Sequence, residues 1–126
     1  MPDAAEFLQH AKTKLGLGQY HRHVMLCTGP RCCTPEVGEA AYEALKDQIK
    51  DRGLMSVGPN SCFRTRANCL RVCGHGPVGV VYPEGTWYHG LTAERIPLFV
   101  DQHLVQGKPV LDWVFADNPL PNDVTK

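Results

Sequence analysis

The chain lacks long apolar runs, net charge and recognisable catalytic machinery. No apolar run approaches the roughly 20 residues of a membrane-spanning helix, so no membrane segment is expected. The opening, Met1-Pro2-Asp3-Ala4-Ala5-Glu6, has neither the basic nor the apolar stretch of a secretory signal, which points to a cytoplasmic, reducing setting. Thirteen Lys and Arg balance thirteen Asp and Glu. A protein-wide polyanion-binding surface is thereby disfavoured, and no nucleic-acid partner is expected. There is no Ser-His-Asp set, no phosphate-cradling glycine loop and no usefully spaced pair of carboxylates, so the chain does not read as an enzyme. Isoleucine occurs only twice, but twelve Leu, twelve Val and four Phe suffice for one core in 126 residues.

Acidic residues are missing from two long stretches. Between Glu6 and Glu36 the only charged residues are Lys12, Lys14, Arg22 and Arg31; between Asp51 and Glu84 they are Arg52, Arg64, Arg66 and Arg71. An electropositive face for an acidic patch on a partner protein is one reading, and a solvated strand face is the other.

Six cysteines stand inside these acid-free stretches. Cys27, Cys32 and Cys33 form one group and Cys62, Cys69 and Cys73 the other. A disulfide scaffold spreads its staples along a secreted chain, whereas two tight groups in a reducing compartment point to metal binding or thiol redox chemistry.

Hydrophobic spacing and breakers place these groups. A short helix is expected over 3–14, ended by Gly16 and Gly18, and a strand over 22–27 that delivers Cys27 at its end. Thr34-Pro35 is a helix start, with an N-cap and a proline at the first helical position. That helix runs to about Arg52 with Val37, Ala41, Leu45 and Ile49 as its apolar stripe. Gly58-Pro59-Asn60 reads as a loop, 61–66 as a strand, and 68–77 as a second breaker-rich loop carrying Cys69 and Cys73. A hairpin follows, with Val78–Tyr82 and Thr86–His89 around Pro83-Glu84-Gly85. A last helix ends near Val105 and buries Ile96, Phe99, Val100 and Leu104; Pro97 argues that it starts a turn after Thr92. From Gly107 on, a tail is expected to dock through Trp113 and Phe115. The order predicts an α/β domain with a mixed sheet of about four strands flanked by helices.

The cysteine spacing admits more than one centre. Four residues separate Cys27 from Cys32 and three separate Cys69 from Cys73. Four thiolates from two loops at one end of a sheet can hold a zinc ion or a [2Fe–2S] cluster. The tight C-x-x-C turn of zinc ribbons and of thioredoxin-type redox sites is absent. Cys73-Gly74-His75 supplies only half of a Rieske pattern.

Taken together, Cys27-Thr28-Gly29-Pro30-Arg31-Cys32, Cys69-x-x-x-Cys73-x-x-Gly76-Pro77 and Val80-Val81-Tyr82-Pro83-Glu84-Gly85-Thr86-Trp87-Tyr88 resemble the thioredoxin-like [2Fe–2S] ferredoxins. This family includes the Shethna-type ferredoxins and is related to the small iron–sulfur subunit of respiratory complex I. The resemblance covers about 22–106. It implies a thioredoxin-like ferredoxin domain (22–106), and the chain departs from the family pattern in Cys33, in Cys62, and in its extensions at both ends, an N-terminal helical extension (1–21) and a C-terminal tail (107–126). The resemblance further implies one [2Fe–2S] cluster on Cys27, Cys32, Cys69 and Cys73, one-electron transfer between a reductase and an acceptor enzyme, and a homodimer. Cys33, beside Cys32, is the rival ligand; Cys62 reads as a small core residue. Other readings are a zinc-stabilised binding or regulatory module of the same fold, a thiol oxidoreductase, and a cluster-bearing subunit or sensor.

Overall fold

A computed structural model of the protein describes residues 3–55 and 61–119. The Gly58-Pro59-Asn60 segment and the last seven residues lie outside the described residues. Within them, the elements run α1 (Ala4–Leu15), β1 (Arg22–Cys27), α2 (Pro35–Asp51), β2 (Cys62–Ala67), β3 (Gly79–Tyr82), β4 (Thr86–Tyr88), α3 (Ile96–Phe99, continued as a wider π-helical turn over Val100–Val105) and β5 (Val114–Asp117), the last preceded by a 3-10 turn at Leu111–Trp113. No helix among the described residues is long and apolar enough to cross a membrane.

The five strands form one mixed sheet in the order β2-β1-β3-β4-β5. β1 runs parallel to β2, with Cys27 opposite Ala67, and antiparallel to β3, with Leu26 opposite Gly79. The parallel pairing requires a crossover, and α2 provides it. Thr34 Oγ1 accepts from Val37 N–H at 3.2 Å at the start of α2, and Pro35 occupies the first turn. Its buried stripe is Gly38, Ala41, Leu45 and Ile49. The sequence placed Val37 in that stripe, but Val37 is exposed. Helical geometry offers 37 or 38 one turn before Ala41, and the close approach of α2 to Thr28 and Cys33 admits only the residue without a side chain.

α2 and the α3 helix share one core with β1, β3 and β4, built around Val24, Leu26, Leu45, Ile49, Val81, Tyr88, Phe99 and Leu104. Truncating one of its leucines or isoleucines to alanine costs about 2–5 kcal/mol. α3 begins at Ile96, one turn after Thr92, with Pro97 in its first turn where the missing N–H costs nothing. The segment after Gly107, expected as a docked tail, contributes a fifth strand. Three residues of β5 pair with β4 around a bulge at Trp87 and Tyr88. Trp113 is half-buried against the core and under the Arg95 guanidinium, whereas Phe115 stays exposed. By contrast, α1 buries nothing, and Phe7 and Leu8 on it stand open to solvent.

Candidate metal centre

The parallel pairing of β1 and β2 decides where the cysteines go. Both strands end at the same edge of the sheet, so the loops that follow Cys27 and Ala67 leave side by side. β3 enters antiparallel at that edge, and Cys27 N–H donates to Val78 C=O at 2.8 Å. The return from the second loop is thereby pinned beside the first ligand candidate. The loops touch closely. A Cβ on Gly29 would collide with the carbonyl of Asn68, and one on Gly76 would collide with Cys32 Sγ. Only glycine permits both approaches. Gly76 N–H also donates to Cys32 C=O at 3.0 Å.

Cys27, Cys32, Cys69 and Cys73 line one cavity of about 220 Å3, completed by Pro30, Arg31 and Asn68. Cys27 and Cys32 are buried, in a small cluster with Val78 against which Cys33, Leu70 and Trp87 pack. Cys69 and Cys73 are exposed. Backbone donors already point at two of the sulfurs: Val78 N–H reaches Cys32 Sγ at 3.3 Å and Arg71 N–H reaches Cys69 Sγ at 3.2 Å. N–H groups aimed at sulfur stabilise negative charge there. Residues 71, 73 and 75 hold φ of 73°, 63° and 55°, a left-handed alternation that winds the second loop tightly. That alternation was not legible in the sequence, because the residues in it are Arg, Cys and His while the neighbouring glycines keep ordinary φ.

Burial, opposed by the Val78 N–H bond and reinforced by Cys27, pushes the Cys32 thiol up to about 12. It therefore keeps its proton near neutral pH until a cation competes for the sulfur, and metal binding releases a proton. Cys33, the rival, does not line the cavity. Its Sγ lies beside Gly38 in the first turns of α2, and the residue packs on the Cys27–Cys32–Val78 cluster from outside the cavity lining. Cys62 sits in the main core as a buried thiol, pushed up to about 11 by that burial. Neither His75 nor His89 reaches the cavity; both line a separate groove beside Cys73.

Charge at the site differs from what the acid-free segments suggest. Arg22 pairs with Glu84 at 2.7 Å, Arg52 with Asp101 at 2.7 Å and Arg66 with Glu39 at 3.0 Å. Distant acids thus neutralise three of the arginines, while Arg31 remains on the cavity wall.

The donor set fits a [2Fe–2S] group: four cysteines, two from each loop, line one cavity as a buried pair and an exposed pair. Among the described residues, no three His, Cys, Asp or Glu side chains gather round a single point as ligands of one ion.

No protein-family model matches the chain. It is 30% identical over 95 residues to a putative 2Fe-2S ferredoxin of Priestia megaterium, covering 75% of this chain and 70% of that one. It is 28% identical over 95 residues to the 2Fe-2S ferredoxin of Clostridium pasteurianum, covering 70% and 89%. The solved structure of a thioredoxin-like [2Fe–2S] ferredoxin from Aquifex aeolicus superposes with a TM-score of 0.69 at 26% identity, over 82% of this chain and 97% of that one. Identity at this level across most of both chains, joined to a shared architecture, means that the chain belongs to the thioredoxin-like [2Fe–2S] ferredoxin family.

Proposed function

We propose that the protein is a one-electron carrier, not an enzyme, with a single [2Fe–2S] cluster held by the thiolates of Cys27, Cys32, Cys69 and Cys73. The observation that carries this reading is the meeting of those four thiols, from two loops 42 residues apart at their first cysteines, on one cavity. The cluster supplies a centre that accepts and returns one electron. The chain's own residues do the rest. The thiols give up their protons to bind metal. Val78 and Arg71 N–H groups hold two sulfurs in place and favour added negative charge. Val78, Leu70 and Trp87 exclude water from the buried side. The hydrogen bonds that tie the second loop to Cys32 and to the hairpin limit how far the ligands move on a change of charge.

Cys32 is favoured over Cys33 because Cys32 lines the cavity and Cys33 does not, its sulfur lying beside Gly38 of α2. In this reading the carrier shuttles between a reductase and an acceptor enzyme in the cytoplasm and docks on an acidic patch. Residues 22–106 are the ferredoxin domain, between an N-terminal extension and a C-terminal tail. The half-buried aromatic face of the sheet, with Tyr20 stacked on Phe63 and His23 edge-on to it, suits a homodimer.

Visible absorption together with iron and sulfide content of anaerobically purified protein tests the reading. Two irons and two sulfides per chain, with colour bleached by dithionite, support it. Zinc without sulfide overturns it. Serine at 27, 32, 69 or 73 should each strip or destabilise the cluster.

A further inference from the structure

Building on the reading of the chain as an electron carrier, we infer that the contact surface for its redox partner is the outer rim of the 69–75 loop, and that the partner is a protein with carboxylates arranged around an apolar centre. The four thiols differ in access. Cys27 and Cys32 are 3% and 5% exposed, while Cys69 and Cys73 reach the surface. Electron transfer weakens steeply with distance, so a partner gains most by seating itself over the exposed pair. What separates those two cysteines then selects the partner. Leu70 turns inward onto the Cys27–Cys32–Val78 cluster. Arg71 and Val72 are exposed at the rim.

The rim is held in shape. Arg71 N–H is bonded to Cys69 Sγ, and Gly90 N–H donates to His75 C=O at 2.8 Å, which ties the loop to the end of β4. From Val72 a groove of about 410 Å3 continues past His75 and His89 to Phe115 on β5. Val72 and Phe115 are 44% and 47% exposed, giving the rim an apolar centre.

Charge complementarity picks the occupant. Of the seven arginines, Arg22, Arg52 and Arg66 are matched by Glu84, Asp101 and Glu39, and Arg64 and Arg95 lie over the rings of Tyr42 and Trp113. Arg31 and Arg71 have no acidic partner among the described residues, and they stand on the thiol cavity wall and in its second loop. Arg64 and Arg95 also lack an acidic partner among the described residues but sit over rings away from the cavity, so two of the four arginines without one stand where the thiols reach solvent. A carboxylate-rimmed protein face is steered to such a spot, and a lysine-rich one is repelled.

The experiment is stopped-flow reoxidation of the dithionite-reduced holoprotein by two protein acceptors, an acidic flavoprotein and a lysine-rich cytochrome c, from about 20 mM to about 0.5 M salt, a range over which screening length falls several-fold. The acidic acceptor should react faster at low salt and slow by about tenfold as salt rises, with the opposite trend for the cytochrome. Arg71→Glu, and independently Arg31→Glu, should remove most of that low-salt advantage when rates are compared at equal iron content, and Arg71→Lys and Arg31→Lys should retain it. Lys108→Glu, beside Gly107 at the Arg22 end of β1, should stay within about twofold of the parent, as a charge far from the contact does. Val72→Asp should slow the acidic acceptor at all salt concentrations.

Flat salt dependence, faster reaction with the cytochrome at low salt, or an equal loss in Lys108→Glu would each overturn the inference. So would conversion of a dimer to a monomer by Val72→Asp in sedimentation, which would make the rim a self-association surface. A purified chain without iron and sulfide defeats the carrier reading itself; a loaded chain indifferent to Arg71→Glu and Arg31→Glu defeats only this surface.

Discussion

Tyr88 donates its phenolic hydrogen to His103 Nδ1 at 2.6 Å, with both side chains fully buried. The same hydroxyl accepts from Val110 N–H at 3.0 Å, and donation to Nδ1 is what satisfies its own buried hydrogen. His103 is therefore the Nε2–H tautomer, and that edge faces Glu84, itself bonded to Arg22 at 2.7 Å. One polar chain thus ties β1, the β3–β4 turn, β4 and the helix that continues α3. Its location in the core, away from the thiol cavity, makes it a device of stability.

Tyr88→Phe keeps the ring packing on Phe99 but leaves a buried imidazole nitrogen and the Val110 N–H unsatisfied. The expected cost is about 1–3 kcal/mol in denaturant unfolding, with iron and sulfide content unchanged. A variant as stable as the parent would show that water replaces the hydroxyl.

Burial lowers the His103 pKa from its ordinary 6.5, and the opposing attraction of Glu84 does not restore it. The unfolded chain then binds this proton more readily than the folded one. The contribution is fully present above about pH 6.5 and is lost as pH falls toward the depressed folded value. His23, also lowered by burial, adds the same sign. Unfolding midpoints should drop between about pH 7 and pH 5, and His103→Asn, whose carbonyl can accept from Tyr88, should flatten part of that slope. An unchanged slope in the variant would assign the effect elsewhere.

Gly74 and Gly76 lie two residues apart with opposite tolerance. A Cβ on Gly76 would overlap Cys32 Sγ, whereas one on Gly74 meets nothing within 4 Å. Gly76→Ala should lose cluster content and destabilise the chain by more than about 2 kcal/mol, since backbone and a buried sulfur must both move. Gly74→Ala should bind iron and sulfide as the parent does. Equal behaviour of the two would mean that the loops do not close as described.

The two cysteines outside the proposed ligand set separate structure from cofactor. Cys33→Ser, against α2, and Cys62→Ala, in the core, should both keep two irons per chain. Cys62→Ala should lower stability by about 1 kcal/mol through the small cavity it leaves. Loss of the visible spectrum in Cys33→Ser would reassign the second ligand.

Much of the architecture is local information. Thr34-Pro35 followed by apolar residues every three or four positions starts a helix wherever it is placed, and the Val80-Val81-Tyr82 run with its Pro-Glu-Gly turn forms a hairpin for reasons contained within about ten residues. Pro97 likewise announced the delayed start of α3. The 113–117 segment is less legible. Its four strand residues carry little alternation, and only the waiting edge of β4 makes a strand of them. Val37 and Gly38 were interchangeable by periodicity, and contact with the first cysteine loop separates them.

The helices, the hairpin and the two cysteine groups are legible along the chain, because capping, breakers and side-chain period act over a few residues. Tertiary structure alone decided that the groups meet, since only the parallel pairing of β1 and β2 puts the ends of both strands at one edge. It also decided which of the two neighbouring cysteines lines the cavity, and which arginines are neutralised. Glu39, Glu84 and Asp101 lie 27, 62 and 49 residues from their partners. Charge is cancelled by proximity in space, and a count along the chain carries no record of that distance.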